Sequence, residues 1–426
     1  MKAYIVPSGV RIAPFGDPAA ASRVLNRTLA ERQRAILARL GIEAVPAQDV
    51  ARVPPDDCLV VLDHVFFTRR ALREFLRATD KVPGDAVLAL PDSAFCRQTR
   101  PLQDDVIVEP GEDGEDRHVF AVFRLRAPAA SLDELRSRAR RVVIPFEEKI
   151  RVLPHVEPLG TDDGAAPACA LSLQAVLHVC HWSHVLDIHA QALHERWFDL
   201  DARKIISVAW RVLTAFSFNR WKVARHLVYK GKGCVIHPGA VVEASILGDG
   251  VEIGAHAVVR GSVIGDGAKV EEHAEILYSA IGEKCVCSFR SRALYTVVYL
   301  RALISYPGTP ACVVGERAVH TGGSFVVTRN LDAATGNPEV PVLRDGETVG
   351  SGKTFLGACF GHRAIVGTGV WLQCGLEIPN GAFLVRDPGR VAKKFTGESE
   401  PGAPLTIREG RVVPIPRPPK PTKPNE

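Results

Sequence analysis

The sequence predicts three units in order: an α/β domain, a helical arm and a parallel β-helix built from hexapeptide repeats. Three observations carry this. Strand and helix signals alternate from Met1 to residue 159. Histidines, then interleaved aromatic and basic residues, fill 168–230. From 232 to 395 aliphatic residues recur with a period of roughly 17, in steps of about six, six and five.

The α/β domain begins with a strand at Ala3–Val6 and a loop from Gly9 to Asp17 that holds Pro14 and Gly16. Asn26 is placed to cap a helix running through Leu29, Ile36, Leu37 and Leu40, and Gly41 ends it. Cys58–Leu62 reads as a buried strand. Thr68–Ala78 reads as a helix with Leu72, Phe75 and Leu76 turned inward, and further strands follow at Val87–Leu90 and His118–Leu125.

Two segments of this domain resemble the sugar-1-phosphate nucleotidyltransferases. "SGVRIAPFGD" followed by "VLNRTLAERQRAILARLGIEAV" is similar to that family's strand, glycine loop and helix. The resemblance puts Gly9 and Arg11 on phosphate-binding positions, and Arg23 is the nearest cation to the family's lysine, because "PAAASR" replaces Pro-Lys. Backbone N–H groups at a tight glycine turn can cradle phosphate, and arginine offsets its charge. "CLVVLDHVFFTRRALREFL" resembles the strand that ends in a metal-binding aspartate. Strict spacing puts that position at His64, with Asp63 one residue early. Asp187 in "WSHVLDIHAQAL" matches a second family aspartate. The pair implies Mg²⁺, and the family implies a nucleoside triphosphate or nucleotide sugar and a sugar phosphate as ligands. The loop's second glycine and the lysine are missing, so two readings stand: a nucleotidyltransferase, and a fold kept as a scaffold or regulatory subunit.

A Gly-, Ala- and Asp-rich linker, 160–167, leads into the arm, read as helical from Leu171 to about Tyr229. His178, His181, His184, His189 and His194 offer either a metal face or a packing surface. Trp210, Phe216, Phe218 and Trp221 among Arg and Lys suit either a membrane-surface helix or one packed on the first domain with snorkelling cations.

The repeat is the firmest signal. "VVEASILGDGVEIGAHA", "VVRGSVIGDGAKVEEHA" and "EILYSAIGEKC" superpose. They align Leu247 with Ile264 and Ile281, Ile236 with Ile253 and Val270, and Val242 with Val259 and Ile276. An aliphatic side chain every sixth residue points inward from the three faces of a triangular coil, and Gly, Asp and Asn between them turn the corners. A helix would need a period of 3.6. The pattern returns at Val366, Leu372, Ile378 and Leu384.

These repeats resemble the hexapeptide-repeat transferases. The resemblance implies a left-handed parallel β-helix, a homotrimer, and acyl-CoA and acceptor sites between neighbouring coils. The repeat breaks at "TRNLDAATGNPEVPVLRDGETVG", where "TRNLD" is similar to an element of the bifunctional uridylyltransferase–acetyltransferases. Asn330 and Asp332 fall on matching positions. That family's base histidine is missing there, which leaves His320 and His362 as the nearest candidates.

The end of the chain, 396–426, is read as a Pro-rich, basic tail without regular structure. A net charge of +5 demands neither nucleic acid nor an anionic surface as partner. Ten scattered cysteines without a CxxC pair, and no targeting segment ahead of the first strand, lead us to expect a reduced, cytoplasmic setting.

Overall fold

The computed structural model describes residues 1–103, 105–111, 114–156, 166–199, 210, 220–330, 339–395 and 405–415. The linker at 157–165, Asp332, most of the aromatic-basic arm and the chain after 415 lie outside the described residues.

The first domain is built on a mixed sheet. Its strands are β1 (Lys2–Val6), β2 (Glu43–Pro46), β3 (Cys58–Leu62), β4 (Val65–Phe67, paired outside this sheet), β5 (Ala86–Pro91), β6 (Ile107–Pro110), β7 (Asp116–Leu125) and β8 (Arg140–Val143). The order across the sheet is β8-β5-β7-β3-β1-β2, with β6 on β7. β1 is parallel to both neighbours, β2 on one side and β3 on the other. β3 is buried along its whole length, as its unbroken run of apolar residues requires. Helix α1 (Leu29–Arg39) is capped by Thr28 in a capping box with Glu31, not by Asn26. Asn26 instead reaches out of the domain, and its Nδ2 donates to the carbonyl of Ile281, 2.8 Å away. Helix α2 (Arg69–Thr79) buries Leu72 and Phe75. Two shorter helices, α3 (Ala94–Thr99) and α4 (Leu132–Arg138), follow.

The expected start of the arm is corrected. Strands β9 (Glu148–Val152), β10 (Ala168–Ser172) and β11 (Val176–His178) extend the first domain. β10 pairs with β9 and β11 with β4, so these residues are extended rather than helical. Helix α5 begins only at Trp182 and runs to Phe198. Leu171 to Cys180 lacks the spacing of an amphipathic helix, and β-branched Val176 and Val179 favour the strand. A last helix, α6, spans Arg220–His226.

The C-terminal half coils as the spacing predicts. Two eight-stranded parallel sheets and one four-stranded sheet are stacked from successive rungs. Leu247, Ile264 and Ile281 pair in register on one face, Ile236, Ile253 and Val270 on a second, and Val242, Val259 and Ile276 on the third. Their side chains form one buried column-filled core.

The corners need glycine for a different reason than expected. Gly250 and Gly267 have positive φ, but Lys284, Arg301 and Arg317 hold the same conformation in later rungs. The preceding glycine is the constrained one. A Cβ on Gly265 would lie 2.6 Å from the backbone nitrogen of Glu283 in the next rung. Close approach of coil to coil, rather than backbone conformation, therefore keeps "IG" in the motif. Asp266 Oδ1 accepts from the backbone N–H of Asp249 at 2.8 Å and ties one rung to the last.

The two halves share a core. On the outward face of one coil sheet lie Ala280, Val297, Val313 and Cys359, and these belong to the same buried cluster as Trp182, Val185 and Ile188 of α5. Their small side chains let the helix lie close against the coil. The tail is corrected in part: strands Leu405–Arg408 and Arg411–Pro414 form a hairpin that pairs with Lys394–Phe395. The β-branched Thr406, Ile407, Val412 and Val413 favour strands and outweigh the proline content before Pro414. Among the described residues no helix is long and apolar enough to cross a membrane.

His320 is an inward residue of the coil, in the column between Ile304 and Val366. Neither ring nitrogen completes a hydrogen bond. Burial pulls its pKa down to about 4, only partly offset by the backbone of Ser305 and Ser324. A histidine lowered in this way stabilises fully above its unfolded value near 6.5 and loses that contribution as pH falls toward about 4. His320→Leu should therefore raise the melting temperature more at pH 5 than at pH 7.5. Thermal melts of both proteins at the two values check this, and an equal shift at both would remove His320 as an acid-sensitive group.

Candidate functional site

A cleft of about 810 Å³ opens where the carboxyl ends of β1 and β3 meet, lined there by Val6, Ser8 and Leu62. The chain leaves β1 toward β2 on one side and returns to β3 on the other, so this is the switch point of the sheet, where α/β folds bind ligands. The opposite wall comes from the β-helix. The insertion in the repeat folds into a hairpin, Pro341–Arg344 with Glu347–Gly350, and turns back onto the first domain. Val340 and Val342 enter that domain's core, and Arg344 Nη1 donates to the carbonyl of Leu102 at 2.6 Å. Leu343, Arg344 and Asp345 line the cleft together with Glu377 of the coil.

Arg11 lies on the exposed rim of the cleft, and its Nη1 donates to the carbonyl of Gly16 at 2.6 Å. Gly9 sits between two lining residues with φ +75° and nothing within 4 Å of a notional Cβ. Its constraint is backbone conformation, not close approach of a neighbour. Asp63 is spent on the same loop: its Oδ1 accepts from the Ser8 N–H at 2.9 Å and the Ser8 hydroxyl at 2.6 Å.

The structure takes the other expected residues elsewhere. Arg23 stands in the short hairpin Arg23–Val24/Arg27–Thr28 at the domain seam, where its backbone N–H donates to Tyr299 Oη at 3.3 Å. Asp187 on α5 faces Lys353, with both carboxylate oxygens 2.8 Å from Nζ. His362 stacks near Phe15 and Tyr299; its Nδ1 accepts from the Glu316 N–H at 2.9 Å and its Nε2 lies 3.0 Å from Asp17. It pegs the loop of the first domain to the coil. His320 is inside the coil and reaches no cleft. Asn330 Nδ2 donates to the carbonyl of Glu339 at 3.1 Å and closes the base of the insertion. Asp332 lies outside the described residues.

Sequence reasoning missed Asp105. It lines the cleft between two buried histidines, with His64 Nε2 2.7 Å from one oxygen and His178 Nδ1 2.7 Å from the other. Burial works to raise the Asp105 pKa, but hydrogen bonds from His178 and His64 overturn this and hold the carboxyl far below its usual range. Burial lowers His178 to about 4, so it is neutral. The signal in the sequence was His64 itself, on the family's metal position; its partners come from distant segments.

Three such groups suggest a cation, and the donor set argues against one. His178 Nε2 accepts from the Ala121 N–H at 3.0 Å, so Nδ1 carries the ring proton and has no lone pair to give. Mg²⁺ requires oxygen ligands, and of the two expected carboxylates one is bound to Ser8 and the other to Lys353. These residues do not fit Mg²⁺. Nor do the arm's histidines share a metal face: His178 is on a strand, and His184 and His189 are spent on backbone groups of Pro101 and Tyr278.

Comparison with known proteins reaches the coil only. The family described as GlmU-like, C-terminal hexapeptide, matches residues 220–290. That match supports a GlmU-like hexapeptide-repeat region over the first rungs. No curated protein was found to match the chain.

The Asp187–Lys353 pair yields a test of structural against metal-binding carboxylates. Lys353→Met leaves a buried carboxylate unpaired and should cost about 3–5 kcal/mol, most of which Asp187→Asn in the same chain should restore. Urea unfolding with and without Mg²⁺ measures it. Rescue of Lys353→Met by Mg²⁺ would return Asp187 to the list of metal ligands.

Proposed function

We propose that this protein is of the transferase type that handles sugar phosphates or nucleotide sugars, with its ligand held in the cleft between the α/β domain and the β-helix insertion. The single observation that carries this is the cleft's position at the sheet's switch point, with three arginines on its walls: Arg11, Arg136 and Arg344. Guanidinium groups suit phosphate because two N–H donors match two oxygens. The cleft's volume is that of a nucleotide-sized ligand site. A nucleoside triphosphate, a nucleotide sugar and a sugar phosphate all carry the required anion.

A specific observation also favours a second reading, binding without nucleotidyl transfer. The two carboxylates that would carry Mg²⁺ are engaged by Ser8 and Lys353. On this reading the fold is kept as a ligand-sensing or scaffold subunit. Acyl transfer from acyl-CoA between coils would need a base other than His320 or His362, since one is inside the coil and the other is pegged to Asp17 and Glu316.

Arg136→Ala should weaken binding of phosphorylated ligands about ten- to a hundredfold, the loss of one charge-assisted contact. Arg23→Ala, at the seam, should leave it unchanged. Calorimetry with the five common nucleoside triphosphates, sugar phosphates and acyl-CoA, with and without Mg²⁺, is the measurement. Equal loss in both variants would move the phosphate away from this cleft, and binding of none above background would end the proposal.

We propose, in addition, a homotrimer of left-handed coils. An outward ladder on the second eight-stranded sheet is apolar through Val286, Leu303, Val319, Ile365 and Phe383, and no part of the first domain's core includes it. A continuous apolar stripe of this kind marks an interface. Light scattering should give three times the chain mass, and Leu303→Arg should lower it. A monomer at micromolar concentration would rule this out.

A further inference from the structure

We infer that the floor of the cleft recognises a hydroxyl or amide group of its ligand through His181 of the first domain and Glu377 of the β-helix. This rests on the reading of the cleft as a phosphate-ester site.

His181 is held rigidly. It caps α5, and its Nδ1 accepts from the Ser183 N–H at 3.2 Å and lies 2.9 Å from the Ser183 hydroxyl. The ring proton is therefore on Nε2. The side chain is 5% exposed, and Nε2 lies 3.2 Å from Glu377 Oε1. The two atoms do not meet in hydrogen-bond geometry, and among the described residues each is buried without another hydrogen-bond partner. A buried donor and a buried carboxylate acceptor left in this state each carry a desolvation cost. Both residues line the cleft.

A donor beside an acceptor defines its complement. A hydroxyl accepts from Nε2–H and donates to Glu377, and an amide does the same through its C=O and N–H. An anion cannot, because Glu377 and nearby Asp105 repel it. Asp105, fixed as a carboxylate by His64 and His178, adds a second acceptor for a ligand donor. Of the cations, Arg136 Nη2 lies 3.9 Å from Asp105 Oδ2, whereas Arg11 is exposed on the rim and Arg344, 22% exposed, sits on the insertion hairpin. The exposed Asp49 and Asp345 also line the cleft, and Asp345 lies 3.7 Å from Arg344. The cleft thus holds hydrogen-bonding groups and guanidiniums together, with Arg136 beside Asp105 and Arg11 on the exposed rim. Such a site selects a phosphate ester of a polyol over a bare anion. The β-helix then supplies a recognition residue to the other domain's site.

The test compares glucose 1-phosphate, N-acetylglucosamine 1-phosphate and mannose 1-phosphate with inorganic phosphate and phenyl phosphate by calorimetry on the full chain. At least one sugar phosphate should bind ten or more times tighter than the two probes without hydroxyls. Glu377→Gln should erase that margin while leaving phenyl phosphate unchanged. His181→Asn keeps a helix-capping side chain but removes Nε2, and should do the same. Circular dichroism melts confirm folding of each, and either folded variant suffices. A margin that survives in a folded variant, or a wild type that binds all probes equally, overturns this inference and leaves the phosphate reading standing. Failure of every phosphate ester to bind the wild type overturns both.

Discussion

The packing of α5 on one outward face of the coil is the constraint on which the rest depends. A β-helix normally offers water three faces, yet here Ala280, Val297, Val313 and Cys359 on one face are buried in the core of the other domain. Small residues on four successive rungs keep that face flat, and a helix with Trp182, Val185 and Ile188 fills it. The domains therefore form one buried unit rather than two bodies on a linker. Polar contacts fix the registration: Asn26 to Ile281, Asn380 to Phe15, His189 to Tyr278 and Lys353 to Asp187.

This packing also explains what the repeat-breaking insertion does. By its place in the chain it belongs to the coil, but Val340, Val342 and Leu356 are buried in the first domain's core. With α5 lying on the coil, the insertion emerges beside the end of the central sheet. Its hairpin then makes one wall of the cleft through Leu343, Arg344 and Asp345. A cleft at the switch point of the sheet would be open on that side without it.

The β-helix was legible in the sequence because its cause is local and repetitive. Each rung states the same requirement, and the columns of Leu247, Ile236 and Val242 pair in the register that their spacing implies. The glycines were read as corner residues suited to positive φ, whereas Gly265 is held by a neighbour one rung away. That neighbour is a tertiary fact with no mark in the local sequence. The same limit applied to the histidines. His320 was a candidate base because it is among the histidines nearest the element that lacks one, but it replaces an aliphatic residue in the inward column. Counting the column through the shortened rung before it would have put it there. Residues 171–180 were read as helical on the strength of the helix that follows, whereas strand pairing with β9 and β4 decides their conformation.

The site was less legible because its residues come from eight separated stretches between Val6 and Glu377. Asp63 and Asp187 matched a pattern of carboxylates, and each is engaged by a partner the pattern cannot see: the Ser8 hydroxyl, 55 residues before, and the Lys353 ammonium, 166 residues after. Asp105 matched nothing, yet it lines the cleft, which neither expected aspartate does. The positions around it have exchanged roles. Where the resemblance expects an aspartate that holds a cation, His64 stands and donates to an aspartate instead. A carboxylate fixed by two imidazoles is a hydrogen-bond acceptor of fixed charge and direction, and it needs no metal to keep that charge. Together with Glu377 it gives the cleft carboxylate acceptors beside its arginines, with Arg136 3.9 Å from Asp105. A cleft so equipped can orient a ligand by two kinds of contact, one ionic and one hydrogen-bonding, before any chemistry is asked of it.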